Sequence, residues 1–183
     1  MIFTPTPLAG SYVVTLEPVE DHRGWFARYF DQKLFEQIGH VQPWVQMNHS
    51  FTYKKGTVRG LHFQHPPHSE VKLVRCISGW VYDVIVDLRK ESPTFLQWYG
   101  VTLSAVNRNM IFVPKGFAHG FQSLEDDCEL LYHHSAPYTP EAESGIRYND
   151  EALKISWPLR AGEISERDLA HPLLTESFKG LSI

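Results

Sequence analysis

The sequence predicts an all-β fold, a sandwich or barrel of short strands with little helix. Three observations carry this expectation. About ten short segments are rich in Val, Ile, Phe and Tyr and are separated by Gly and Pro turn signals. In GWVYDVIVDL, Val81, Asp83, Ile85 and Asp87 alternate with Tyr82, Val84, Val86 and Leu88, so one face is apolar and the other mixed. Only one stretch shows a helical apolar pattern.

Taken in chain order, SYVVTLEP and WFARYF are the first strand candidates. The helix candidate follows in DQKLFEQIGH, where Asp31 can cap, Leu34, Phe35 and Ile38 share a face, and Gly39 can end the helix. Strands are then expected in WVQMNHSF, TVRGLHF, VKLVRCI, GWVYDVIVDL, QWYGVTLS, MIFVP, GFAHGFQSL and CELLYHH. After Pro137 the strand signal fades, which predicts loops and short turns on the outside. In the tail, ISERDLAHPLL fits one or two helical turns with Ser165 as cap. No repeat, low-complexity run or linker interrupts the chain, so residues 1–183 are expected to form one domain.

The formal net charge is -4, with Lys and Arg scattered among Asp and Glu. No basic run or face suggests nucleic acid or a membrane surface as a partner. No apolar stretch suggests a signal peptide or a membrane span, so a cytoplasmic location is expected. Cys76 and Cys128 each lie in an apolar run and read as small buried thiols.

Titratable residues concentrate in RGLHFQHPPHSEVKLVRC, Arg59 to Cys76. Strand alternation puts Gly60, His62 and Gln64 on one side and Arg59, Leu61 and Phe63 on the other. The glycine beside His62 leaves room for a ligand, and Lys72 could meet His62 across a hairpin. His65 and His68 flank two prolines and are expected in a solvated loop, with Glu70 on the rim.

The second cluster, VPKGFAHGF, has the spacing P-x-G-x-x-H, which fits the second half of a cupin motif, with His119 as its histidine. A metal site would recruit His62, His65, His119 and Glu70. The upstream segment is H-F-Q-H instead of H-x-H, however, and residues at i and i+3 of a strand face opposite sides. Lys72 also places a positive charge where a metal site prefers a carboxylate. No metal is therefore expected.

Proton transfer fits these residues better. A neutral histidine can take a proton α to a ketone, a cation can hold the developing enolate oxygen, and Tyr132 can return a proton to the opposite face. An unperturbed tyrosine has a pKa of about 10. Base and acid on opposite faces of a planar enolate would make an epimerase.

The blocks DHRGWF, QMNHS, VRGLHFQ, KLVRC, VYDVIVDLRKESPTFLQW, VPKGFAHGF, LLYH and GIRYND carry a family resemblance. In order and spacing the chain resembles the dTDP-4-dehydrorhamnose 3,5-epimerase family, from about Leu16 to Leu174. The resemblance implies a cupin-type jelly-roll β-sandwich with a few short peripheral helices, and a homodimer with shared active sites. It also implies a nucleotide-sugar substrate, in dTDP-L-rhamnose or related deoxysugar biosynthesis, and no cofactor.

By this resemblance His62 is the base, paired with Asp168, Tyr132 is the acid, and Lys72 sits beside the C4 oxygen. Arg23, Arg28, Gln46, Asn48, Arg59, His119, Tyr138, Glu143 and Arg167 fall at substrate-binding positions, some reaching the site from the partner subunit. Asp168 is expected to accept Nδ1–H of His62, and the arginines suit a diphosphate.

The chain also departs from the family pattern. Arg28 stands where Glu is usual, Gln46-Met47-Asn48 replaces Gln-Asp-Asn, Ser-Glu-Val precedes Lys72, and His133 replaces a common Lys. The acid–base set is retained. Other readings left open are 3-only or 5-only epimerisation of a CDP or GDP sugar, a metal-dependent cupin, and a non-catalytic sugar-nucleotide binding module.

Overall fold

A computed structural model describes residues 1–183. The strands are β1 (Ile2–Pro5), β2 (Tyr12–Thr15), β3 (Val19–Asp21), β4 (Gly24–Phe26), β5 (Gln46–Thr52), β6 (Val58–Gln64), β7 (Lys72–Ser78), β8 (Trp80–Asp87), β9 (Trp98–Ser104), β10 (Asn109–Val113), β11 (Phe117–Ser123), β12 (Cys128–His134) and β13 (Glu143–Gly145). Of two short helices, α1 (Gln32–Glu36) lies between β4 and β5, and α2 (Glu166–Ala170) follows β13. One sheet has the order β1-β2-β10-β7-β12-β5, the other β13-β6-β11-β8-β9, and β3-β4 form a separate ribbon. Every pairing between these strands is antiparallel. The arrangement is the expected sandwich, with short peripheral helices.

Strand alternation divides the apolar residues into three layers. Val74, Cys76, Ile111, Val113 and Leu130 from one sheet meet Val81, Ile85, Leu103, Phe117 and Phe121 from the other. Their sequence neighbours Leu73, Met110 and Phe112 point to the opposite face, where Phe35 of α1 covers them. On the far side, Leu61, Phe63, Val84, Val86 and Leu88 are covered by Ile146, Leu153 and Leu181 from the later chain. Cys76 and Cys128 are free and buried, as expected, and burial pushes the Cys76 thiol up to about 12.

Asp31 caps α1 as the sequence implies, its carboxylate accepting from the N–H groups of Lys33 at 3.1 Å and Leu34 at 3.4 Å. Gly39 follows the helix with φ +87°, and His40 N–H closes back on Phe35 O at 3.0 Å. Ser165 caps α2 through the Asp168 N–H at 3.1 Å. Both caps were legible because capping chemistry is local.

Three expectations need correction. WFARYF is strand only as far as Phe26. Beyond it Phe30 packs on Phe35 and Trp44, and Tyr29 against His133, so side-chain packing replaces backbone pairing. The chain after Pro137 is not merely peripheral, because β13 extends a sheet edge along β6. Its Glu-Ser-Gly sequence has no apolar alternation to announce a strand. Lys72 and His62 do not share a hairpin either, since β7 and β6 lie in different sheets.

The alternation predicted for β6 also breaks, at a bulge. His62 pairs with His119 and Arg59 with Phe121, so Gly60 and Leu61 stand opposite the single residue Gly120. The extra residue turns Arg59 and His62 toward the same cavity. Gly60 has φ +119°, and a Cβ there would lie 2.6 Å from Gly120 Cα. Gly60→Ala is therefore expected to lower unfolding stability by about 1–3 kcal/mol or more. An unchanged urea midpoint would show that the bulge tolerates a side chain.

Candidate active site

The open end of the sandwich contains a cavity of about 1060 Å³, with β5, β6, β7, β11 and β12 contributing to its walls. On β5, β11 and β12 the side chains that line it keep the period of two, which the bulge interrupts on β6. Gln46, Asn48 and Ser50 come from β5, Tyr132 and His134 from β12, and His119 and Phe121 from β11. Lys72 extends the inward face of β7 that continues in Val74 and Cys76.

At one wall His62 Nε2 lies 2.7 Å from Asp168 Oδ1. This corrects the expected contact, which was through Nδ1, and it leaves Nδ1 as the ring nitrogen available to a ligand. The other carboxylate oxygen of Asp168 accepts the Gly60 N–H at 3.0 Å, so the bulge on β6 and the capped turn of α2 are tied together. Burial acts to raise the Asp168 pKa, but the bonds from His62 and Gly60 and the His62 charge bring it down to about 2.

Because the folded carboxyl titrates below its ordinary value of about 3.9, it adds stability above that value, and this is lost as pH falls toward about 2. The loss attributable to Asp168 is on the order of 2 kcal/mol. Urea unfolding between pH 4 and pH 2 should therefore fall more steeply for the wild type than for Asp168→Asn. Parallel curves would remove this assignment.

Lys72 Nζ lies 3.1 Å from Glu70 Oε1 and 3.5 Å from the carbonyl oxygen of His62. Glu70 is buried, contrary to its expected place on the rim. Gln64 donates to its second carboxylate oxygen and is itself fixed by the Thr139 N–H at 2.6 Å. An ammonium has three donors, so this pairing leaves one for a ligand.

Tyr132 OH lies 3.0 Å from Ser50 Oγ, and burial pushes its pKa up, so the phenol holds its proton. His134, two residues on, stacks on Tyr132 with ring centroids 6.2 Å apart. Burial and the neighbouring charges of Lys72 and His119 push His134 down to about 3, leaving it neutral.

His119 has its own carboxylate, Asp83 of β8, whose oxygens lie 3.0 and 2.9 Å from Nε2. Burial pushes the Asp83 carboxyl up, while His119 and Lys72 oppose that shift. Neither Asp83, Ser50 nor His134 was singled out from the sequence. Asp83 did leave a signal, an acid on the inward face of a core strand, where a charge needs a partner. Ser50 and His134 follow from residues already chosen by stepping two positions along β5 and β12.

Around the mouth, Tyr138 OH donates to Glu143 Oε2 at 2.8 Å, and Arg167 Nη1 donates to the same oxygen at 3.0 Å. Tyr138 N–H donates to Gln46 Oε1 at 2.8 Å. Arg59 bonds only the Thr52 hydroxyl and the Phe51 carbonyl, at 3.2 and 3.1 Å. Unlike Lys72 and Arg167 it has no carboxylate partner, so its charge is available to an anion.

Arg23 and Arg28 are not brought to this cavity. Both are exposed, paired with Asp21 and Asp31, and Arg23 lines a shallow surface depression with Trp25 and Phe26. His65 and His68 lie in the exposed loop as expected, so His62, His65, His119 and Glu70 do not converge on one point.

A cupin-type jelly roll whose open end collects a histidine paired with a carboxylate, a buried ammonium and a half-buried phenol has the groups that a proton-transferring isomerase needs. Comparison with known proteins narrows the class. A model of the family described as dTDP-4-dehydrorhamnose 3,5-epimerase matches residues 5–176. The enzyme of that name from Salmonella typhimurium is 48% identical over 170 residues, spanning 91% of this chain and 92% of its own.

The crystal structure of dTDP-4-dehydrorhamnose 3,5-epimerase from Bacillus anthracis, with TDP and PPi bound, superposes with a TM-score of 0.91 at 40% identity, covering 94% of this chain and 99% of that one. A Legionella pneumophila epimerase in complex with dTDP-4-keto-L-rhamnose gives a TM-score of 0.92 at 36% identity, covering 100% and 98%. The chain belongs to the dTDP-4-dehydrorhamnose 3,5-epimerase family and is an isomerase. No helix is long and apolar enough to cross a membrane.

Proposed function

We propose that residues 1–183 act as one epimerase domain that inverts C3 and C5 of dTDP-4-dehydro-6-deoxyglucose without a cofactor. The observation that carries this reading is the 2.7 Å His62–Asp168 pair on the wall of a cavity that also holds Lys72 and Tyr132. The C4 ketone acidifies the carbons on both sides of it, so one base and one acid can serve both centres in turn.

In this reading the neutral His62 takes the α-proton at Nδ1, and Asp168 at Nε2 stabilises the imidazolium that forms. The Lys72 ammonium, held by Glu70, meets the C4 oxygen where negative charge develops. Tyr132 then delivers its proton to the opposite face of the enolate, which completes the inversion. Arg59 and Arg167 take the diphosphate, while Gln46, Asn48, His119, Tyr138 and Glu143 position the sugar and the nucleotide.

Arg23 and Arg28 would serve the site of a partner subunit in a homodimer. The exposed apolar residues Val19 and Phe26 on the β3–β4 ribbon, each 74% exposed, suit such an interface. A reaction panel of dTDP-, CDP-, UDP- and GDP-linked 4-dehydro-6-deoxyglucose, followed by NMR of the products, tests the assignment. Double inversion of the dTDP sugar is expected to be fastest. Preference for another nucleotide, or inversion at one centre, would replace it with the narrower alternative.

A further inference from the structure

Behind the His62–Asp168 pair lies a third titratable side chain that the proposed chemistry does not use. His171 Nε2 is buried, has no hydrogen-bond partner, and stands 3.7 Å from Asp168 Oδ1, the same oxygen that His62 meets. Single ligand atoms of His62, Asp168 and His171 lie within 4.8 Å of one another. We infer that these three residues form a binding site for a divalent transition-metal ion of the zinc type.

The donor chemistry suits such an ion. Two imidazole nitrogens and one carboxylate oxygen make a three-ligand set with a fourth position left to water. The ligands are also held in advance. The His171 ring rests on Gly145 of β13, where a Cβ would come within 2.4 Å of Nε2, so the ring keeps its place because no side chain competes for it. Asp168 is fixed by the Gly60 N–H at 3.0 Å.

One cation already stands near. Arg167 approaches His62 Nε2 at 3.5 Å and Asp168 Oδ1 at 3.8 Å. Its side chain is 57% exposed and anchored on Glu143 at 3.0 Å, so it can yield toward solvent when the ion enters. The set differs from the one suggested by the cupin motif, since His65 and His119 take no part.

Binding has a consequence for proton transfer, which rests on the proposed role of His62. A neutral imidazole carries one proton. An ion at Nε2 takes the lone pair there, so the proton resides on Nδ1 and the ring can no longer accept one. The ion therefore inhibits without taking part in catalysis.

Calorimetric titration of the chelator-stripped full chain with zinc chloride is expected to show one saturable ion per chain. Epimerisation should fall in parallel and recover on addition of chelator. His171→Leu lies outside the cavity lining and should keep wild-type turnover while weakening zinc binding by more than about tenfold. His171→Asn, together with thermal unfolding of both variants in metal-free buffer, controls for misfolding. Absence of saturable binding to the wild type overturns the site, as does unchanged affinity in both variants. Binding at this site without loss of turnover supports the site and counts instead against His62 as the base.

Discussion

Replacing His62 with alanine is expected to lower epimerisation by about 10²–10⁴-fold while leaving KM for the nucleotide sugar within a small factor of wild type. The imidazole is free of internal hydrogen bonds at Nδ1 and backed by a carboxylate at Nε2, a pattern it shares with the more buried His119 beside Asp83. Removing it leaves Arg59, Lys72 and Arg167 in place to hold the diphosphate and the ketone, so binding should survive. Asp168 would then lose its strongest partner, and its carboxyl should move up toward ordinary values. Exchange of sugar protons with solvent should slow with turnover. A variant that exchanged as fast as wild type would eliminate His62 as the base and leave the second pair, His119 and Asp83, to be considered.

Tyr132→Phe is expected to separate proton removal from inversion. The substitution deletes one hydroxyl and keeps the ring that stacks on His134. The Ser50 hydroxyl loses its partner, which should cost about 1 kcal/mol of stability and no more. Proton abstraction by His62 continues, but the enolate then has no donor on the far face. Deuterium should still enter from solvent with retention of configuration, returned by His62 itself, while the inverted product falls by about 10²-fold or more. NMR of a reaction run in deuterated water reads both quantities at once. Formation of the epimer at the wild-type rate would place the acid elsewhere, and loss of exchange together with inversion would give Tyr132 a part in the first step.

What the sequence made legible was local. The period of two in GWVYDVIVDL and the Asp31 and Ser165 caps depend on residues close in the chain, and each appears in the structure. The site depends on distant pairings, and these left weaker traces. His62 and Asp168 are separated by 106 positions, and a short tail helix gives no sign that its acid reaches a strand. Only the family resemblance singled out Asp168.

The bulge at Gly60 and Leu61 was hidden because alternation assumes an uninterrupted ladder, and it was this extra residue that brought Arg59 to the side of His62. The neighbouring prolines suggest a rim position for Glu70. Its burial follows instead from Lys72, whose charge inside the sandwich needs a partner. Arg23 and Arg28 lie outside the cavity of the single chain, where no local pattern could have placed them.

In the proposed reaction one base and one acid act on both carbons beside the C4 ketone. Its most direct test is incubation of dTDP-4-dehydro-6-deoxyglucose with the enzyme in deuterated water, with NMR of the sugar over time. Deuterium is expected at both C3 and C5 of the inverted product, at rates that collapse together in His62→Ala. Incorporation at a single carbon, or incorporation at both that is indifferent to His62, would contradict it.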